Sequence, residues 1–331
     1  MMKHELSVIG AGSYGTSLAI VAASKGLRVM LWDRKAQRAQ IMQRERENTQ
    51  YLPGIKFPDT ITVTSSLEEA VSSALRLLVV VPSVTFKEVV SNVAKYVTRE
   101  HSLAWATKGL SKDGRFLSDV ARECLPFKIP LAVLSGPTFA KELASGLPTA
   151  ISVASDPPSV ASEICELMHT QAFRLYECSD MIGLQIGGAI KNVIAIAAGM
   201  SDGLGYGANA RTAVITRGLA EMVRLGVVCG ASERSFMGLS GFGDLILTCT
   251  DDQSRNRRFG VMVGKGLSVQ EALKEIGQVV EGYSMIAVVR DLALSKHLEM
   301  PICAELYEVL YRGKNGGDAA RALLTRELTS E

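Results

Sequence analysis

Apolar and polar positions follow one rhythm in the first half of this 331-residue chain and another in the second, and the change falls near residue 180. Before it, short β-rich apolar runs recur at Leu6–Ile9, Val29–Trp32, Ile61–Thr64, Leu77–Val81, Leu103–Ala106, Leu131–Leu134, Ala150–Val153 and Arg174–Tyr176. Helical stretches lie between them, one of them opening on Ser66-x-x-Glu69, the pattern of a capping box. Strand and helix in alternation predict βαβ units and a doubly wound, mainly parallel sheet. Ligands on such sheets bind beyond the carboxyl ends of the strands, so the turns Val81-Pro82-Ser83 and Thr107-Lys108-Gly109 are expected to line a site. After residue 180 strand signals nearly vanish, and Gly187–Ala198, Thr212–Leu225, Val269–Glu275, Ser284–Ser295 and Ala304–Tyr311 read as helices. The pattern predicts an α/β domain over 1–180 and an all-helical domain over 181–331 that closes over the first domain's ligand, with Arg326–Glu331 frayed. A chain of this length can supply two such cores.

The stretch from Leu6 to Trp32 says what the first domain binds. An apolar strand ends in Gly10-x-Gly12-x-x-Gly15, an Ala-rich helix follows, Gly26 ends it, and a second apolar strand stops at Asp33. In a Rossmann-type dinucleotide site the first glycine permits the tight turn, the second lets backbone approach a pyrophosphate, and the third lets helix pack on strand. The helix N-terminus offers free N–H groups and the positive end of its dipole. Glycine turns are common, but this one sits between strand and helix with an acid about 20 residues on, which is the confirming context. Asp33 and Arg34 leave the cofactor open. An acid here bonds the ribose 2′-hydroxyl of NAD, whereas an arginine accommodates the 2′-phosphate of NADP. Lys35 and Arg38 add positive charge and tilt the balance towards NADP tolerance, unless the whole group is a solvated patch.

Composition narrows the alternatives. Hydrophobic residues make up 47%, charged residues 21%, and the net charge is +2, a soluble globular balance without a basic nucleic-acid surface. The longest apolar run, Ile186–Met200, is interrupted by Lys191-Asn192 and is too short to span a bilayer. The first apolar run is already the Rossmann strand, so no targeting peptide is expected. Six cysteines are scattered with no CxxC and no histidine at ligand spacing, which suggests buried thiols in a reducing cytosol and no metal.

Several positions carry candidate chemistry. Lys191 sits in IGGAIKNVIAIAAGM among small and apolar neighbours. Desolvation there would lower its pKa towards the range useful for proton transfer; the alternative is a lysine that snorkels to the surface. Lys108, at the expected ligand edge, could hold a substrate oxygen or be a solvated loop lysine. Gly241–Leu245 and Ser254–Gly260 are a polar, glycine-rich pair in which an arginine fork suits a phosphate and Asp244 could accept from a hydroxyl. They could equally be an inter-helix loop with solvated arginines. Ser135-Gly136-Pro137-Thr138 is a strand-to-helix turn with a hydroxyl cap whose free N–H groups could bind an anion.

Taken together, these pieces resemble the bacterial type of NAD(P)-dependent glycerol-3-phosphate dehydrogenase. The resemblance is carried by GAGSYGTSLA, NTQYLPG at Asn48–Gly54, Val80-Val81-Pro82-Ser83, ATKGL at Ala106, SGPTFAKE at Ser135, IGGAIKNVIAIAAG, SGFGDLILTCTDDQSRNRRFG and GQVVEGY at Gly277. It covers nearly the whole chain in order. The resemblance implies reversible reduction of dihydroxyacetone phosphate to sn-glycerol 3-phosphate for phospholipid synthesis, with NADP(H) and/or NAD(H) as cofactor. It implies Lys191 as general acid–base, and Lys108, Gly136, Thr138, Asp244, Ser254, Arg255 and Asn256 as further substrate-binding residues. It implies Gly10, Gly12, Ser13, Tyr14, Gly15, Arg34, Lys108, Ala140, Arg255, Val279 and Glu281 as cofactor-binding residues, and a cytoplasmic homodimer without nucleic-acid or membrane partners. Two rivals fit the residues less well. One is another two-domain dehydrogenase, such as a hydroxyacyl-CoA or sugar-acid enzyme; the first of these would need a catalytic histidine paired with an acid, and His4, His101, His169 and His297 lie in no such motif. A nucleotide-sensing protein without turnover has no use for a desolvated lysine beside a phosphate clamp.

Overall fold

The computed structural model describes residues 3–325, so the expected fraying of Arg326–Glu331 lies outside the described residues. The chain divides into two compact units: residues up to Ser111 together with Arg115–Leu184, and Lys112–Gly114 together with the residues from Gln185 onward.

In the first unit, strands β1 (Leu6–Ile9), β2 (Val29–Trp32), β3 (Ile61–Thr64), β4 (Arg76–Val79), β5 (Ser102–Trp105), β6 (Leu131–Ser135), β7 (Thr149–Asp156) and β8 (Phe173–Glu177) form one sheet. Their order is β3-β2-β1-β4-β5-β6-β7-β8, parallel except where β7 runs antiparallel to β6. All eight apolar runs of the sequence are strands, within one to three residues at each end. They are legible because both faces of the sheet are covered. Val8, Leu31 and Leu78 face one core with Leu18 and Ala22 of α1 (Ser13–Ser24), Met42 of α2 (Ala36–Glu45), Leu143 and Ile164. Ile9, Met30 and Leu77 face the other, with Val71 of α3 (Leu67–Ser72), Phe86 of α4 (Ser83–Val93) and Val120 of α5 (Leu117–Cys124). Helices α6 (Ala140–Ala144) and α7 (Ser159–Met168) complete this unit. The order reverses between β1 and β4, and a reversal of that kind opens a crevice at the carboxyl ends. Ser66 caps α3 through the Glu69 N–H, but the Glu69 carboxylate accepts from Thr64 Oγ1 instead of reaching back, so the box is half made. The complete capping box is at Ser268 and Glu271.

The second unit has no strand among its described residues. Its helices are α8 (Met181–Gly203), which begins in the first unit, α9 (Gly207–Val228), α10 (Asp244–Thr250), α11 (Arg255–Gly264), α12 (Val269–Ile276), α13 (Glu281–Ser295), α14 (Pro301–Arg312) and α15 (Gly316–Leu324). A π-helical turn, Leu239–Gly243, leads into α10. Helix α8 runs unbroken through Lys191-Asn192, so it is longer than the apolar run suggested. By length and composition it could cross a membrane, yet 83% of its apolar window is buried inside the protein, the mark of a core helix.

What lets α8 be so buried is a shortage of side chains. A Cβ built on Gly199 would lie 2.1 Å from the Arg257 carbonyl oxygen, and one on Gly203 would lie 2.4 Å from that of Val261. From the other side, a Cβ on Gly260 would meet the Ile196 carbonyl oxygen at 2.1 Å, and one on Gly264 that of Met200 at 2.5 Å. Helices α8 and α11 therefore touch backbone to backbone, each through a pair of glycines four residues apart. An alanine in place of a helical glycine gains about 1 kcal/mol where there is room. Here there is none, and a carbonyl cannot rotate aside. We expect Gly260→Ala to lose stability by about 1–3 kcal/mol or more, the scale of overpacking. Urea unfolding checks it, and a stabilised variant would refute the contact.

Candidate active site

The glycine turn after β1 is built by two steric constraints and one vacancy. Gly10 has φ +126°, and a Cβ there would lie 2.3 Å from the Val80 carbonyl oxygen. A Cβ on Gly15 would lie 2.0 Å from the Gly10 carbonyl oxygen, so the third glycine lets α1 seat on its own turn. Gly12 has nothing within 4 Å of where its Cβ would be, and it starts α1 with no side-chain cap. No side chain caps the start of α1, which suits an anion-binding helix terminus.

A neighbouring loop holds this turn. Asn48, 1% exposed, donates through Nδ2 to the Ala11 carbonyl at 2.9 Å and to Thr16 Oγ1 at 2.8 Å, while its Oδ1 accepts from the Tyr51 N–H at 3.2 Å. Ser17 Oγ lies 2.7 Å from both the Ser13 and Ala140 carbonyls, tying α1 to α6. At the neighbouring strand ends Thr107 Oγ1 donates to the Val81 carbonyl at 2.8 Å, joining the two turns expected to line the edge. Lys108 Nζ donates to the Gly136 carbonyl at 2.8 Å and stands 5.4 Å from the centre of the Tyr14 ring. Thr138 Oγ1 donates to that same carbonyl at 3.1 Å and is not a helix cap; α6 starts after Phe139 without one. Gly136 is fixed by packing, since its Cβ would come within 2.8 Å of the Ile151 Cα. Ser13, Tyr14, Lys108, Gly136, Thr138 and Ala140 are thus gathered at one edge of the sheet. Arg34 is exposed just after β2.

The second cluster lies wholly in the helical unit. Lys191 does not snorkel: it is 5% exposed, and its Nζ donates to Asp244 Oδ1 at 2.6 Å and to Thr248 Oγ1 at 3.0 Å. Asp244 is 1% exposed. The lone desolvated amine expected from the apolar neighbours is therefore a buried ion pair. Carboxylate and hydroxyl stand one helical turn apart on α10, Asp244 and Thr248, and so face Lys191 together. The Cys249 thiol beside them is pushed up to about 12 by burial, so it stays protonated. Only Cys249 and Cys303 are buried thiols; the other four cysteines are half-buried.

Next to Lys191 on α8, Asn192 organises the rest. Its Oδ1 accepts from Asn256 Nδ2 at 2.9 Å, and Asn256 Oδ1 accepts from the Gly282 N–H at 2.9 Å. A Cβ on Gly282 would lie 2.4 Å from the Asn192 carbonyl oxygen, so α13 is pinned at its first turn, beside Glu281. The Ser254–Gly260 segment is not a loop: Ser254 caps α11 by accepting from the Arg257 N–H at 3.2 Å. Arg255 projects from the first helical position, with Nη1 3.1 Å from Gln278 Oε1, near half-exposed Val279. Arg257, half-buried, is the arginine of the run held by ion pairs, to Asp202 of α8 at 2.6 Å and to Asp252. Sequence reading assigned no separate role to Asn48, Thr248, Asn192 or Arg257. The four-residue spacing of Asp244 and Thr248 could have exposed one of them; nothing in RNRRFG separates Arg257 from Arg255.

Comparison with known proteins gives one family throughout. The N-terminal and C-terminal models of NAD-dependent glycerol-3-phosphate dehydrogenase match residues 5–171 and 180–321. A glycerol-3-phosphate dehydrogenase [NAD(P)+] of Tolumonas auensis is 54% identical over 98% of each chain, and one of Escherichia coli K12 is 55% identical over 98% of this chain and 97% of its own. The crystal structure of the Coxiella burnetii glycerol-3-phosphate dehydrogenase superimposes with a TM-score of 0.95 at 43% identity, covering 98% of this chain and 99% of its own.

The clamp on the glycine turn is testable. Asn48→Asp keeps the shape and the bond to Tyr51 but has no N–H for the Ala11 carbonyl. Leaving that carbonyl unpaired costs about 1–3 kcal/mol. We expect dinucleotide affinity to fall by roughly 10-fold or more on that scale. Isothermal titration calorimetry reads it, and unchanged affinity in folded protein would show that the turn holds itself.

Proposed function

The chain belongs to the NAD-dependent glycerol-3-phosphate dehydrogenase family, and from that premise we propose how its own residues run the reaction. The reaction is reversible reduction of dihydroxyacetone phosphate to sn-glycerol 3-phosphate with NAD(P)H, and the product feeds glycerophospholipid synthesis. When bound, the nicotinamide supplies the hydride. The N-terminus of α1, which no side chain caps, fits its pyrophosphate at Gly12 and Ser13, with Tyr14 beside them, and the family resemblance supports Arg34, Ala140, Val279 and Glu281 as further dinucleotide contacts.

The observation that carries the chemical reading is the Lys191–Asp244–Thr248 cluster. Lys191, as ammonium, gives a proton to the ketone oxygen of the substrate as the carbonyl carbon accepts hydride. In the reverse direction the neutral amine takes the hydroxyl proton. Asp244 stabilises the ammonium, and Thr248 fixes where its N–H bonds point. An ammonium held against a carboxylate is set in place before substrate arrives, so little reorganisation remains for the transition state. Lys108, already oriented by the Gly136 carbonyl, holds and polarises the substrate, helped by Gly136 and Thr138. Arg255 supplies the charged fork for the phosphate, with the Ser254 hydroxyl and the remaining N–H of Asn256 beside it. The proposal includes a cytoplasmic homodimer, supported by the family resemblance; a sedimentation mass near 35.5 kDa would remove the dimer.

Oxidation of NADPH and of NADH by dihydroxyacetone phosphate, followed at the nicotinamide absorbance, tests the activity. Lys191→Ala should lose roughly 10²–10⁴-fold in turnover, the scale of general acid–base catalysis, with dinucleotide affinity little changed. Near-normal turnover in the folded variant would end its role as proton donor. Arg255→Ala should lose roughly 10–150-fold in kcat/KM for dihydroxyacetone phosphate, since a hydrogen bond to a charged group is worth about 1.5–3 kcal/mol. Unphosphorylated dihydroxyacetone should be affected far less. Equal losses on both substrates would show that Arg255 does not read the phosphate.

A further inference from the structure

The acid that ends β2 is the residue expected to meet the adenosine ribose, and here its carboxylate is already occupied. Asp33 is 1% exposed, and both of its oxygens are bonded within the protein. Oδ1 accepts from the Lys35 N–H at 2.8 Å, and Oδ2 accepts from Arg38 Nε at 2.6 Å and from Arg38 Nη2. The Arg38 guanidinium is itself held in place, 4.7 Å from the centre of the Tyr51 ring and 3.2 Å from Gln50 Oε1. Gln50 and Tyr51 belong to the loop whose Asn48 clamps the glycine turn. Arg34 and Lys35, between the two members of the pair, are exposed, and their side chains make no ion pair or hydrogen bond among the described residues.

We propose that Arg38 is a specificity-determining residue that withdraws the Asp33 carboxylate from the ribose and so leaves Arg34 and Lys35 to receive a phosphate monoester on its 2′ position. The inference rests on the dinucleotide site proposed above. A free carboxylate at this point takes the 2′-hydroxyl and repels a 2′-phosphate. With both oxygens bonded and the charge paired, neither action is available, and the two exposed cations set the local potential. Arg38 touches no ligand in this role; it acts by positioning another side chain.

The test is a double-mutant cycle read by calorimetric binding of NADP+ and NAD+, and of 2′,5′-ADP against 5′-ADP. The intact protein should bind NADP+ at least as tightly as NAD+. Arg38→Met frees the carboxylate and should lower the ratio of NADP+ to NAD+ affinity roughly 10-fold or more, the scale of losing or opposing a charge-assisted contact. Adding Asp33→Asn to Arg38→Met should restore the ratio, whereas Asp33→Asn alone should move it less than about 3-fold, because the locked charge is not felt. A merely structural role for Arg38 would weaken both dinucleotides together. An unmoved ratio in Arg38→Met, or an equal response to Asp33→Asn with and without Arg38, overturns the proposal. If Arg38→Met does not fold, a large ratio change in Asp33→Asn alone overturns it, and a small one upholds it. Failure to bind either dinucleotide would overturn the dinucleotide reading itself, a result distinct from binding with an unmoved ratio.

Discussion

The close approach of α8 and α11 is the constraint on which the second unit depends. Their carbonyls and glycines meet with no side chain between them, and this fixes where every residue on the facing turns must sit. Lys191 and Asn192 are one to two turns from the contact on α8, while Asn256 stands at the start of α11. Because the helices cannot slide without a carbonyl meeting a Cα, the Asn192–Asn256 bond is set by backbone geometry, not by side-chain adjustment. The Asp202–Arg257 pair fastens the same two helices by charge. Functional side chains borne by rigid helices in this way are held more accurately than they would be on loops.

Inside that frame the polar groups are spent carefully. Taking an ammonium and a carboxylate out of water costs several kcal/mol per ion, so a buried pair adds little net stability. Lys191 and Asp244 are kept in spite of that cost, and Thr248 satisfies a further N–H. Asn256 is shared between two elements, accepting from Gly282 and donating to Asn192. A polar network so fully connected specifies one arrangement where an apolar core would tolerate several. The same economy recurs in the first unit, where Asn48 joins a loop, a turn and a helix through one amide.

The sheet was legible in the sequence because its strands are buried on both faces, and burial writes itself as short apolar runs such as LSVI and VMLW. The glycine turn was legible because each glycine has a separate steric duty. Helices α10 and α11 were not, because DLILTCT is short and RNRRFGVMVG is rich in charge and glycine. Helix α11 is held against the α8 backbone and α10 against the Lys191 side chain, and no hydrophobic period records such contacts. Lys191 was found from its apolar neighbours, but its carboxylate lies 53 positions away, and only the fold brings the two together. For the same reason the Ser66 motif misled: nothing local says that Thr64 will outbid the Ser66 N–H for the Glu69 carboxylate.

The three glycines of the first turn answer to different masters. Gly10 and Gly15 are held by the fold, since a methyl group at either would strike a backbone oxygen. Gly12 is held by nothing in the protein: its φ of −77° suits any residue, and the space before it is open. A lineage released from its metabolic duty would therefore not lose the motif evenly. Drift would erase the middle glycine first and leave the outer two standing, so a descendant that had become a scaffold would still carry two-thirds of the signature and a sound fold. The middle glycine alone is the record of continuing selection for the ligand.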